Sequence, residues 1–334
     1  MMTQQTDVTV RLDDRIRFMS ALLAATNWPE KSQAKQPHGT HLHARATRKY
    51  LNDHLEHPAV QYMQQLLDQG APLEALFTFA LCLSWPEMEL QIDRLPGWVP
   101  PRWIPAMRDF NKKANLAQWW AREDTPWQKS QDEARRMFDS VTFKPFLERF
   151  IGSVSEDLIF IPNISYPSDQ EIGLRLGREL VCIAPPRLAW GDSPPWPFDE
   201  DPAHVYRAAL SQYGRLLLLA YLRAHADKLA EAAKTPLPVG DQFSALYPSW
   251  EEQFALLFVS AAVAIYLEDH ISPAEAKAYV LLARKAQGMT ILPGTISVLR
   301  RYLNEREAGR YNSLLDFLPV FPKQLRVAKR IVTL

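Results

Sequence analysis

The sequence predicts a mainly helical protein with a small central β-sheet, an α+β fold. Three observations predict it. Apolar residues recur every three to four positions through the first half and again after residue 200, the repeat of one helix face. Two apolar segments, residues 158–161 and 172–183, interrupt that rhythm and read as short strands. Glycine is scarce, 12 residues against 26 prolines, so backbone has few places to approach a phosphate closely. Neither Gly-x-Gly-x-x-Gly nor Gly-x-x-x-x-Gly-Lys occurs, which argues against a nucleotide-binding fold.

The elements follow in order. Residues 13–25 set Ile16, Met19, Leu22 and Leu23 on one helical face. Residues 47–55 and 60–67 repeat the pattern with Pro58 between them, and 73–83 is apolar throughout, as a deeply buried helix would be. A Pro- and Trp-rich link covers 85–103. Helices are expected over 111–121 and 129–140, and 143–151 leads to the first strand. After the strands comes a proline-rich loop, residues 184–197. Asp201 as N-cap and Pro202 at the first helical position then open a long helix through 226. A polar connector, 234–241, precedes a helix over 250–267. Ser272 and Glu275 form a capping-box signature for a helix reaching 286, with Gly288 beyond it. Residues 292–295 read as a turn, and 296–303 and 311–318 as short helices. No internal repeat is present.

Composition narrows the function classes. Among 334 residues 47% are apolar, ample for a core, and 38 basic residues balance 38 acidic ones. A neutral chain offers no global field to recruit nucleic acid or anionic membrane. The longest apolar run, residues 254–267, is shorter than the roughly 20 residues a membrane span needs, so a buried helix is expected. The first residues are polar and lack a secretory core, and the expected setting is cytoplasmic. Cys82 and Cys182 both sit in apolar surroundings and read as buried thiols, not as a disulfide or a metal knuckle.

Several local patterns carry a family resemblance: Leu12-Asp13-Asp14-Arg15-Ile16 before an apolar helix, Tyr50-Leu51-Asn52-Asp53-His54 with His57-Pro58-Ala59-Val60, Leu76-Phe77-Thr78-Phe79-Ala80-Leu81, and Phe143-Lys144-Pro145-Phe146-Leu147 before the sheet. In this order they resemble a family of uncharacterised bacterial proteins with a gluzincin-type metallopeptidase domain. The resemblance implies a two-lobed, gluzincin-like architecture: a helical lobe over 1–150, then the small sheet and a zincin-like helical lobe over 151–334, packed as one unit. It also implies His-Glu-x-x-His on the helix after the sheet, where two His bind zinc and Glu polarises water. No such motif occurs. The matching window is Ser211-Gln212-Tyr213-Gly214-Arg215. Ser211 stands at the first ligand, Gln212 at the base and Arg215 at the second ligand, with Glu251 or Glu252 as the match to the third. Gln is no carboxylate base and a guanidinium does not coordinate a cation. The resemblance therefore implies a lost zinc site, no cofactor and no metal, with Arg215 expected either to bridge to Glu251 or Glu252 or to face solvent.

Other residues are candidates for binding. Trp190, Asp192 and Trp196 lie in the proline-rich loop, where indoles anchor to the core or grip a partner. Its acidic end, Asp199-Glu200-Asp201, favours helix capping over a ligand role. Arg207 and Tyr213 share the long helix with the degenerate window; aromatics at that spacing are more often core. His38, His41, His43, His54 and His57 have spacings that bind transition metals, yet Arg45, Arg48 and Lys49 beside them favour a solvated loop and helix start. The leading expectation is a catalytically inactive peptidase relative acting as a binding or scaffold module for a protein or peptide. The alternatives are a hydrolase using Asp192, Asp199, Glu251 or Glu252, and a helical interaction module gripping through the Trp/Pro loop.

Overall fold

The computed structural model describes residues 6–35, 37–139, 141–189 and 193–332 (backbone alone for 329–332), and it is mainly helical with one small mixed sheet. The chain divides into two compact units, Met1–Val141 with Asp157–Val205, and Thr142–Glu156 with Tyr206–Leu334. The sheet thus groups with the N-terminal helices, a division different from the 150/151 boundary expected above.

In the first unit, strands β1 (Val8–Val10), β2 (Asp157–Pro162), β3 (Ile172–Leu176) and β4 (Glu179–Ala184) lie in the order β1-β2-β4-β3. β2 pairs in parallel with both β1 and β4, and β3 pairs antiparallel with β4. The segment 172–183 is therefore a hairpin, not one strand. Gly177, at φ +56°, opens its two-residue loop, the position where a type II′ turn requires glycine.

Among the described residues this unit also carries the α-helices α1 (Asp14–Ala25), α2 (Trp28–Lys35), α3 (Leu42–Tyr50), α4 (Pro58–Asp68), α5 (Leu73–Leu81), α6 (Trp103–Lys113), α7 (Leu116–Arg122) and α8 (Asp124–Phe138). One face of the sheet, carrying Ile159, Ile161, Ile172, Leu174, Val181 and Ile183, joins the core built by α1 and α3 to α7. The other face carries Phe160, whose ring packs on Phe138 of α8 and on Phe198. Burial on both faces is why β2 and β4 read as continuous apolar runs. The helix expected over 111–121 is corrected. Asn115 adopts left-handed backbone (φ +47°), which ends α6 and starts α7, and α6 begins earlier at the buried Trp103. That indole donates to the Ala59 carbonyl (3.0 Å).

The second unit is helical: α9 (Lys144–Ile151), α10 (Pro202–Ala224, entering from the first unit), α11 (Ala226–Ala233), α12 (Asp241–Leu246), α13 (Trp250–His270), α14 (Pro273–Ala286), α15 (Leu292–Glu307), α16 (Leu314–Phe317) and α17 (Phe321–Val332). α13 is its centre, buried nearly all round from Gln253 to Leu267. By length and composition it alone among the described residues could cross a membrane, but 78% of its apolar window is buried inside the protein. A core helix satisfies the same pattern. α9 packs Phe146 and Phe150 edge-on against Tyr266 and Phe258 of α13. Ser272 caps α14 by accepting from the Glu275 amide. Residues 292–295 are not a turn but the opening of α15, with Pro293 where a helix tolerates it best. Cys182 is buried and Cys82 only partly so, and the two are not joined in a disulfide.

The first helix depends on a single carboxylate. Asp13 accepts from the Arg15 amide (3.0 Å) and from Arg15 Nε and Nη2 (2.9 and 2.6 Å). Asp13→Ala removes the cap and leaves Arg15 with only the Leu81 and Leu83 carbonyls. It should cost about 1–2 kcal/mol in urea unfolding at an unchanged m-value.

Candidate functional site

The positions aligned with a zinc site do not converge. Gly214 of α10 faces Val259 of α13, a Cβ on the glycine lying 3.4 Å from the valine side chain, while Arg223 Nε contacts Glu251 at 3.2 Å. The two helices therefore run antiparallel, and nine residues forward on α10 match eight residues back on α13. At 1.5 Å per residue, Glu251 and Glu252 lie roughly 10–12 Å along α13 from the level of the 211–215 window. The side chains opposite that window are apolar: Phe258, Val259, Ala262 and Val263 line a narrow crevice with Leu210, Gly214 and Leu218. Glu251 is taken by Arg223, and Glu252 accepts from Ser249 at the start of α13. Arg215 donates to Gln212 on its own helix (3.4 Å), while Glu251 pairs with Arg223 and Glu252 with Ser249. Tyr213 is fully buried and packs near Phe143, a core residue as its spacing suggested; Ser211 and Arg207 are half-buried.

In the proline-rich loop, Trp190 and Asp192 lie outside the described residues. Trp196 is 49% exposed, and its amide donates to the Arg187 carbonyl. The acidic end is structural. Asp201 caps α10 by accepting from the His204 amide (2.9 Å) and takes Arg187 Nη1 on its other oxygen (2.5 Å), while Asp199 pairs with Arg136 of α8.

The histidines are structural as well. His41 and His57 cap α3 and α4, each Nδ1 accepting the amide two residues on. His57 Nε2 meets Asp109 at 3.0 Å. His43 is buried, with Nε2 accepting from Trp127 Nε1 (2.8 Å) and Nδ1 facing Glu123 (2.9 Å). Because an indole N–H only donates, the His43 proton sits on Nδ1; a second proton would face Trp127. Burial accordingly holds its pKa down against the pull of Glu123. Among the described residues no three His, Cys, Asp or Glu side chains gather as a metal would need.

A different site emerges beyond the carboxyl end of β2. An open cavity of about 360 Å³ lies between α2, α3 and the loop after β2. Tyr166 forms its deep wall. Only 6% exposed, its phenol has no hydrogen-bond partner among the described residues. Burial pushes its pKa up to about 12 against the nearby charges of Arg48 and Arg45, so the hydroxyl stays protonated and can donate. Arg48 is spent on structure: Nη1 donates to the Ala24 and Thr26 carbonyls (2.6 and 2.7 Å) at the end of α1, and Nη2 to Glu30 (2.6 Å). Arg45, three residues earlier on α3, is exposed, and its guanidinium has no partner among the described residues. Gln33 holds the rim by donating to the His38 carbonyl (2.9 Å) and Thr40 Oγ1 (3.0 Å). Ser32 joins Asp169 (2.7 Å) to His38 Nε2 (3.1 Å), tying α2 to the loop after β2. Gly39 donates to the Ala189 carbonyl (2.9 Å), and a Cβ there would lie 2.8 Å from the Ser193 carbonyl oxygen, so only glycine permits the approach.

Sequence reading placed Arg45 and Arg48 only as neighbours of the histidines and passed over Tyr166. The available signal was the polar stretch 30–48, dense in Gln, Thr, His and Arg but poor in acids. No protein-family model, curated protein or solved structure matches this chain.

His41 gives the region a pH dependence. Burial first, then the charges of His43, Lys129 and Arg45, lower its pKa from 6.5 to about 4. With the folded value below the unfolded one, the His41 contribution is complete above pH 6.5 and fades as pH falls toward 4. His41→Asn, which keeps a capping acceptor, should flatten the fall of Tm across that window.

Proposed function

We propose that this protein is a non-catalytic binding module whose ligand site is the cavity beside β2. The observation that carries it is the pairing of a nine-tenths-buried, unpartnered phenol, Tyr166, with an unpartnered guanidinium, Arg45, on one cavity of small-molecule size. The ring is buried while the residue lines an open cavity, so a ligand there offers the hydroxyl an acceptor in place of water. In this reading a gluzincin-like ancestry accounts for the order of segments and for none of the chemistry. Ser211, Gln212 and Arg215 supply neither ligand nor base, and where α10 meets α13 beside that window, at Gly214, it meets valine and alanine. The acid–base alternative has less support, because Asp199, Glu251 and Glu252 are each engaged in an ion pair or a helix cap.

Two experiments test this. The triple variant Ser211→His, Gln212→Glu, Arg215→His restores the motif on paper. By elemental mass spectrometry of untagged protein it should hold no more zinc than the parent, since the third ligand lies about two turns away. Stoichiometric zinc in either protein would end the non-peptidase reading. For the cavity, crystals soaked with neutral polar fragments should show density against Tyr166 and Thr40. Fragments seated only elsewhere would refute the assignment of the site.

A further inference from the structure

We infer that the cavity beside β2 recognises a small ligand through an oxyanion, a phosphate or carboxylate group held by Arg45 and Tyr166. The inference rests on the binding-module reading and deepens it. Its basis is the balance of donors and acceptors around the cavity. On the donor side stand the Arg45 guanidinium, the Tyr166 hydroxyl and Thr40, whose oxygen accepts from Gln33 and whose own proton remains to be given. On the acceptor side the single lining carboxylate, Glu30, is occupied by Arg48 at 2.6 Å. The nearby Asp169 is occupied by Ser32 at 2.7 Å. Both ring nitrogens of His38 are engaged as well, Nε2 with Ser32 and Nδ1 with Gln33 and the Gly39 carbonyl.

Charge leads to the same conclusion. Arg48 is compensated twice, by Glu30 and by the carbonyls that end α1, the negative pole of that helix. Arg45 is compensated by nothing among the described residues, so the cavity carries one unspent positive charge. An incoming anion finds an exposed cation and two hydroxyl donors, against one lining carboxylate, Glu30, whose charge is offset by Arg48. A cationic ligand would meet Arg45 and would have to displace Arg48 from Glu30.

The probes are inorganic phosphate and acetate, titrated into the full chain by calorimetry at constant ionic strength. One or both should bind saturably, and the tighter of the two identifies the source of the oxyanion. Arg45→Gln, which removes an exposed side chain, should weaken binding roughly tenfold. Tyr166→Phe leaves the charge unchanged and should weaken it severalfold. Lys49→Gln removes the same charge from the same helix outside the cavity and should leave binding unchanged. The inference is overturned if neither anion binds, or if Arg45→Gln and Lys49→Gln behave alike. Should neutral fragments still occupy the cavity in that case, the binding-module reading stands and the oxyanion alone falls.

Discussion

The sheet-bearing unit depends on β2 lying between two strands that run in its own direction. The parallel β1-to-β2 pairing needs a long crossover, and helices of that crossover cover both faces of the sheet, while β2 reaches β4 through a loop and β3. The strand then has no wet face, which is why five of its six residues are buried. Parallel pairing also sends β1, β2 and β4 out of the sheet at the same edge. The loop after β2 brings Tyr166 and Asp169 there, and the loop after β4 brings Ala189 to meet Gly39. Open sheets with parallel strands commonly place ligands outside the carboxyl ends of their strands, where loops of different origin meet. The cavity described above is such a place.

How far the sequence anticipates this differs from element to element. α1 and α13 were plain because their signals are local: Asp13 before an apolar stripe, and an apolar run too short for a membrane. The hairpin was missed because Gly177 stands inside a continuous apolar run, and periodicity cannot distinguish one buried strand from two joined by a two-residue loop. β1 has three residues, too few for alternation to register. The break between α6 and α7 turns on one left-handed asparagine, a conformation asparagine permits but does not announce.

The two candidate sites differ in how much of each a linear sequence can show. The 211–215 window looked like a degraded motif because a linear match ignores register, and register is decided by packing. Gly214 lets α10 settle against Val259, and that contact carries Glu251 far along the partner helix. The cavity beside β2 was invisible because Arg45 and Tyr166 are far apart in the chain and joined only by the fold. The histidines drew notice through their spacing, yet His41 and His57 serve as caps and His43 as a buried acceptor. What separates Arg45 from Arg48 is which carbonyls lie within reach, and the end of α1 supplies those for Arg48.

The attachment of the segment around Gly39 has a kinetic meaning. It is fastened by the Gly39–Ala189 hydrogen bond, by Gln33 on the His38 carbonyl and by the Ser32–Asp169 link. This wall of the cavity is fixed before any ligand arrives. A pocket whose wall is already ordered requires no loop to fold on association, so little conformational entropy is lost when it fills. Encounter should be followed by docking without a slow rearrangement. Differences in affinity among ligands would then appear in how long each stays, not in how quickly it enters.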